Sequence, residues 1–228
     1  MNSLTEENYL KALLTLSEGE EKVSVKHLAQ VLGIKMPTVT SMMKRLSEKG
    51  LVHYESYKPL SLTAEGRKQA ALIIRRHRLT EMFLVEKMGF GWEEVHQIAE
   101  EVEHVHVPAF FEKMDELLDY PTVDPHGSPI PDKDGNIVHP RYVALSDCQT
   151  GDTFTLRAVS HAQDDFLAFL NDRKLCLGVQ LVVLLVEPFD HSIKVRYESD
   201  GPRTETLSEP VSARLLGERQ QGRYDISI

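Results

Sequence analysis

Between Ser24 and Leu62 the chain alternates helix caps, short amphipathic segments and glycines at spacings that few folds accept. Ser24 can cap a short helix, Val25 to Leu32, that Gly33 closes. Thr38 to Lys49 reads as a second helix, with Val39, Met42, Met43 and Leu46 on one side and Gly50 at its end. Leu51–Tyr54 and Leu60–Leu62 are strand candidates around the turn Glu55-Ser-Tyr-Lys-Pro59. Two helices joined by a tight glycine turn and followed by a hairpin make a winged helix-turn-helix. Ala29 and Gly33 put small residues where close helix packing and the turn need them. The second helix is then the reading helix. Its outward positions are Pro37 at the leading end, Thr38, Thr40, Ser41, Lys44 and Arg45, and Tyr57 and Lys58 stand at the hairpin tip. Hydroxyls and Lys/Arg groups so placed can contact phosphates and base edges of double-stranded DNA.

Charge supports this. The 228 residues carry a net charge of −9, which taken whole speaks against a nucleic-acid partner. Split by position, residues 1–78 hold 13 Lys and Arg against 8 Asp and Glu, and the remainder 13 against 27. A basic first third on an acidic body is the pattern of a DNA reader with a separate regulatory part.

The rest of the chain divides into a helical stretch and a β-rich one. Tyr9, Leu10, Leu13, Leu14 and Leu16 mark a first helix over residues 5–18, and Thr63 caps a long helix to about Lys87. Trp92 to Val105 reads as a further helix, and Pro108 opens another that carries Phe110, Phe111, Met114, Leu117 and Leu118. These apolar faces exceed what one small domain covers, so a homodimer is expected. Residues 119–139 are rich in Pro, Gly and Asp and read as a linker. Thr153–Val159, Leu175–Leu177, Gln180–Glu187, Ser192–Tyr197 and Glu205–Leu207 then read as short strands, with a turn or two of helix at Asp164–Leu170. A small β-barrel of about 80 residues accommodates them. The fold class is α+β, with boundaries expected at 1–73, 74–140 and 141–228.

The chemistry lies in the helical stretch. On a helix, His96, Glu100, Glu103 and His104 fall within an arc of roughly 100°. His77 and Glu81 stand four apart, on one side of the preceding helix. Two such faces laid together form a pocket of imidazoles and carboxylates, a donor set suited to Mn²⁺ or Fe²⁺. A solvated acidic helix face would show the same spacing at Glu100, Glu103 and His104. His27, His53, His106, His126, His139 and His191 belong to no such spacing pattern in the sequence, and His106, just past the ligand helix, is the one closest to the cluster in sequence.

Composition excludes several classes. No run of about 18 apolar residues occurs, so no membrane span is expected, and Met1 opens into a polar, acidic stretch without the look of a secretory signal. The two cysteines, Cys148 and Cys176, lack metal-type spacing and read as reduced thiols of a cytoplasmic protein. His and carboxylate groups could also serve a metallohydrolase, but no His-Glu-x-x-His pair and no spare placed base accompany them, so neither an enzyme nor a small organic substrate is expected. A winged-helix sensor of an organic ligand is a third class, which metal dependence of DNA binding would separate.

Five stretches together carry a resemblance: Glu7-Asn-Tyr-Leu10, Leu62-Thr-Ala-Glu-Gly66, Arg76-His-Arg-Leu-Thr-Glu-Met-Phe-Leu84, Val102-Glu-His-Val105 and His126-Gly-Ser-Pro-Ile-Pro131. On these the chain resembles the diphtheria toxin repressor family of metal-dependent transcriptional regulators, over nearly its whole length. The resemblance implies a winged helix, a helical metal-binding and dimerisation domain, and an SH3-like domain of the ferrous-transport-accessory type. It implies one metal site at His77, Glu81 and His96, with a further ligand from His161–Phe166: Asp165 first, Asp164 or His161 as alternatives. It implies a second, activating site at Glu100, Glu103, His104 and Asn8. Glu100 stands where the iron-responsive branch has Cys and the manganese-responsive branch a carboxylate. Asn8 replaces the Asp of the manganese branch and the Met of the iron branch, and Lys11 replaces the Glu of short-form manganese members. The resemblance thus implies a repressor of metal-uptake genes activated by Mn²⁺, with Fe²⁺ as the alternative and Zn²⁺, Co²⁺ or Ni²⁺ as substitutes in vitro.

Overall fold

The computed structural model describes residues 2–19 and 22–222, and they form two compact units. The first comprises residues 2–88, 96–122 and 129–138; the second comprises 89–95, 123–128 and 139–222.

The first unit opens with α1 (Leu4–Gly19), α2 (Val25–Leu32) and α3 (Met36–Glu48). Ser3 and Glu6 form a capping box at the start of α1: the Glu6 amide donates to the Ser3 hydroxyl, and the Ser3 amide to the Glu6 carboxylate at 2.8 Å. The Ser24 hydroxyl caps α2 by accepting from the His27 amide at 3.0 Å, and Gly33 ends it at φ +64°. The reading helix thus starts two residues earlier than its pattern suggested, with Pro37 in its first turn. Strands β1 (Val52–His53) and β2 (Ser61–Leu62) pair antiparallel, and an isolated bridge from Val23 to Leu60 joins them. A 25-residue helix, α4 (Ala64–Met88), follows. Gly66 is required there, because a Cβ would lie 1.9 Å from the Leu51 carbonyl oxygen, where the helix crosses the wing. Tyr9, Leu10, Leu13, Leu14, Leu28, Val39, Met43, Leu46, Ile73 and Ile74 are buried in one core beneath these elements.

Two shorter helices complete the unit, α5 (His96–Val102) and α6 (Pro108–Leu117). The expected helix from Trp92 to Val105 is therefore shorter at both ends. Trp92 belongs to the second unit, where its indole donates to Asn171 Oδ1 at 2.7 Å and stacks on His126. Glu103 and His104 lie in the turn after α5, although the Glu103 amide still donates to Ala99 in helical fashion. Leu79, Phe111, Met114 and Ile130 form a second, smaller core between α4, α6 and the segment after it.

The Pro/Gly/Asp-rich stretch has no helix or strand, yet it is folded. Asp124 Oδ1 accepts from the His126 and Ser128 amides, and Asp132 Oδ1 accepts from those of Asp134 and Asn136. Both are aspartate-closed turns. Within the first unit, Arg75 and Arg78 donate to the carbonyls of Pro131 and Pro129.

The second unit is a six-stranded antiparallel sheet around one core. Its elements are β3 (Val143–Ala144), β4 (Thr153–Val159), α7 (Asp164–Asp172), β5 (Gln180–Val186), β6 (Ile193–Glu198), β7 (Pro202–Leu207), α8 (Glu209–Ser212) and β8 (Leu215–Gln220). The strand order is β3-β8-β4-β5-β6-β7, with register shifts in β4 and β5 that bend the sheet around Phe154, Leu156, Leu181, Val183 and Val195. This is the SH3-like domain. Leu175–Leu177 is not a strand. Lys174 takes φ +57° after α7, and the Leu175 amide returns to the Leu170 carbonyl, so buried Leu175 closes a helix instead. Strand β8, which the sequence did not suggest, contains Gly217, whose Cβ would lie 2.0 Å from the Thr155 carbonyl oxygen.

Candidate metal centre and DNA-reading face

Helices α4 and α5 bring three donor atoms together. His77 and Glu81 lie one turn apart on α4 and are buried, while His96 opens α5 and is half exposed. His77 Nε2 stands 3.0 Å from Glu81 Oε1 and 3.2 Å from His96 Nδ1, and the third edge, His96 Nδ1 to Glu81 Oε1, is 3.3 Å. Donors held about 2.0–2.2 Å from one ion lie roughly 3 Å or slightly more from each other. The three groups therefore fit a single divalent ion, with nitrogen and oxygen donors on one side and the exposed His96 side left open.

Glu103 fixes the orientation of His77. Its Oε2 accepts from His77 Nδ1 at 2.6 Å, which turns Nε2 toward Glu81 and His96. A carboxylate behind a ligand imidazole is a common supporting arrangement in metal sites. Burial of the ring opposes its charge, but the hydrogen bonds to Glu103 and Glu81 outweigh that and raise the His77 pKa to about 9. Without a metal the ring is an imidazolium that donates from both nitrogens. Glu103 is the complement: burial raises its pKa, and the bonds to His77 and Lys11 more than reverse this and hold it below the usual range.

The second expected cluster is arranged differently. Lys11 Nζ on α1 contacts both oxygens of Glu103, at 2.7 and 2.9 Å, and lies 3.5 Å from Glu100 Oε1. His104 donates from Nδ1 to Glu7 Oε2 at 2.7 Å, and its Nε2 is 3.6 Å from Glu103 Oε1. Asn8 is exposed, and its neighbour Glu7 is the buried residue of α1 that reaches His104. Glu7 also binds Arg76 at 3.2 Å and has His106 Nε2 at 3.8 Å. Glu7 is thus a member of this cluster that sequence reasoning passed over. Its signal was faint: a helical face containing Glu7, Leu10, Lys11 and Leu14. In the second unit, His161 (φ +51°), Asp164 and Asp165 are exposed at the start of α7, where Asp165 Oδ1 accepts from the Phe166 amide.

The candidate DNA-reading face is made by α3 and the wing. Pro37, Thr38, Ser41, Lys44 and Arg45 are exposed and Thr40 half-buried, while Val39, Met43 and Leu46 face the core. A groove of about 590 Å³ runs between helix and wing, lined by Lys22, Lys26, Thr40, Lys44, Tyr57 and Lys58 among others. Tyr57 is fully exposed at φ +67°, and Lys58 pairs locally with Glu55 at 2.7 Å. Arg45 is partly committed elsewhere, its Nε lying 3.0 Å from Glu6 Oε1.

Comparison with known proteins finds a DNA-binding and a metal-binding portion. Residues 1–60 match the iron-dependent repressor N-terminal DNA-binding domain, and residues 63–132 match the iron-dependent repressor metal-binding and dimerisation domain. The chain belongs to the iron-dependent repressor family. The iron-dependent repressor IdeR of Mycobacterium leprae is 32% identical over 177 residues, 72% of this chain and 77% of that one. The diphtheria toxin repressor of Corynebacterium efficiens is 35% identical over 127 residues, 56% of this chain and 55% of that one. Among solved structures, a manganese-dependent transcriptional repressor in complex with manganese is 34% identical, with a TM-score of 0.85 over 94% of this chain and all of the other. The manganese regulator SloR is 31% identical, with a TM-score of 0.72 over 94% of this chain and 98% of its own. This iron-dependent repressor homologue is accordingly a metal-dependent, DNA-binding transcriptional repressor, a class that is not enzymatic. Among its described residues no helix is long and apolar enough to cross a membrane.

Proposed function

We propose that the chain is a Mn²⁺-activated repressor of metal-uptake genes that binds operator DNA as a homodimer. The observation that carries the choice of metal is the donor set. His77, Glu81 and His96 converge as nitrogen and oxygen ligands, Glu100 supplies a carboxylate nearby, and both cysteines belong to the second unit. Hard oxygen donors suit manganese better than they suit softer metals, although intrinsic affinity still rises along the first-row series. Bound at this site, the ion would supply a fixed double positive charge in place of the His77 proton. The chain's own residues then do the rest. His77 and Glu81 hold α4 to His96 on α5, and Glu103 passes from α5 to Lys11 on α1, the helix that also carries Glu6 against the reading helix. DNA is read by Pro37, Thr38, Thr40, Ser41, Lys44 and Arg45, with Tyr57 and Lys58 of the wing on the backbone.

An Fe²⁺-activated repressor of iron-uptake genes is the second reading, favoured by the curated relatives named iron-dependent repressors at 32–36% identity. The deciding experiment titrates chelator-stripped protein with Mn²⁺, anaerobic Fe²⁺ or Zn²⁺ against its own upstream promoter DNA at fixed salt. Mn²⁺ is expected to switch binding on at the lowest free concentration relative to its cellular level. His96→Ala should abolish the response to every metal. Lys44→Ala should weaken binding alike on all sequences and lower the salt slope by about one. A switch by Fe²⁺ alone would move the proposal to the iron branch, and tight binding indifferent to all metals would end it.

A further inference from the structure

The second cluster does not fit a metal ion as it stands. Among the atoms that an ion at Glu100, Glu103 and His104 would use, both oxygens of Glu103 and Nδ1 of His104 already have hydrogen-bond partners. Lys11 Nζ lies within 2.9 Å of both oxygens of Glu103 and 3.5 Å from Glu100. His77 holds Glu103 Oε2 at 2.6 Å, and Glu7 takes His104 Nδ1 at 2.7 Å. Glu103 is fully buried and the Lys11 side chain is only 18% exposed, so the ammonium is not a surface group that swings aside at no cost. A divalent ion at the same carboxylates would face this ammonium across a few ångströms of poorly screened protein.

We infer that Lys11 is a built-in cation that takes the place of a second metal ion, so that each chain binds one regulatory ion, at His77, Glu81 and His96. The lysine supplies what a bridging cation would supply, positive charge between a carboxylate pair on the α5 segment and the face of α1. Because it is covalently part of α1, this link between the first helix and the metal-binding helices exists with or without metal. What remains for the ion to control is the other end of the same carboxylate. Glu103 bonds Lys11 with both oxygens and His77 with one, so the state of His77 is felt at Lys11 through a single buried group. Residue 11 is then the position that decides between one and two ions, with Lys closing the second site.

The inference rests on the metal-sensing reading, and the test separates them. Full-length protein is stripped, equilibrated with excess Mn²⁺ alone, dialysed and analysed for bound metal per chain. Wild type should hold one ion, His96→Ala none, and Lys11→Glu two. Lys11→Met, which removes the charge without adding one, serves if Lys11→Glu does not fold, and should likewise gain an ion. A second readout needs no metal: amide exchange over residues 8–16 should be at least tenfold faster in metal-free Lys11→Met than in metal-free wild type. Two ions in wild type, or one ion surviving in His96→Ala, would overturn the inference and leave the metal-sensing reading standing. No bound ion in wild type would overturn that reading, and this inference with it.

Discussion

Glu6 and Glu7 are consecutive residues of α1 that bind on different sides of it. Glu6, fully buried, meets Lys49 at 2.6 Å and Arg45 at 3.0 Å, at the end of the reading helix. Glu7 meets His104 at 2.7 Å and Arg76 at 3.2 Å, beside the metal-binding helices. Successive helical residues point about 100° apart, so a rigid α1 couples the two sets of contacts. Glu6 also closes the capping box with Ser3, which fixes the start of the helix that carries both.

Glu6→Gln keeps the size of the side chain and removes the charge that Lys49 and Arg45 share. Both cations are partly exposed and can be rehydrated, so the loss stays in the range of a charged hydrogen bond, about 1–3 kcal/mol. Urea unfolding should show a lower midpoint with an unchanged slope, and the amount of bound metal should not change. A midpoint equal to wild type would mean that the Glu6 contacts are offset by the burial of its carboxylate.

The raised pKa of His77 gives the metal-free protein a distinct pH dependence. Burial opposes the ring's charge, yet Glu103 and Glu81 raise its pKa from 6.5 to about 9. A group whose pKa is higher in the folded state stabilises that state fully below its unfolded value and loses the contribution as pH rises through the folded value. Chelator-treated protein should therefore lose thermal stability between about pH 6.5 and 9. Mn²⁺ must displace the same proton, so its apparent affinity should rise by up to tenfold per pH unit over that window. Melting curves and competition titrations at matched ionic strength check both. A flat melting profile with pH-independent affinity would show that Glu103 and Glu81 do not hold a proton on His77.

Much of this was legible in the sequence because it rests on local rules. Ser24, Gly33 and Pro37 punctuate the helix-turn-helix through capping and φ preferences that a single residue enforces. The four-residue spacing of His77 and Glu81 followed from helical periodicity, and α4 carries both on its buried side. What failed was decided by partners distant in the chain. Trp92 has an aromatic helix-like context but pairs with Asn171, 79 residues away. Leu175 is β-like in type but closes α7, and β8 is polar and glycine-containing because Gly217 must let Thr155 approach. The same holds at the site. Neither Asn8 nor Glu7 announces which will face inward, and the pairing of Lys11 with Glu103 spans 92 residues.

Phe111 and Met114 turn α6 into the core with Leu79 and Ile130, whereas Val107, Phe110 and Leu117 leave a second apolar stripe 45–53% exposed. The stripe runs at helical spacing and lies within the residues that match the metal-binding and dimerisation domain. Phe110 touches Phe111 edge-on, with ring centroids 5.1 Å apart, so it stands firmly out from the helix at little cost in side-chain entropy. A buried aromatic anchor at an interface contributes about 2 kcal/mol or more. Phe110→Glu should therefore raise the dimer dissociation constant at least roughly thirtyfold, seen by sedimentation of metal-loaded protein at micromolar concentration. Because two reading helices must reach two half-sites, operator affinity should fall with it, while bound metal per chain stays as in wild type. A dimer of unchanged strength would place the interface on another face of the first unit.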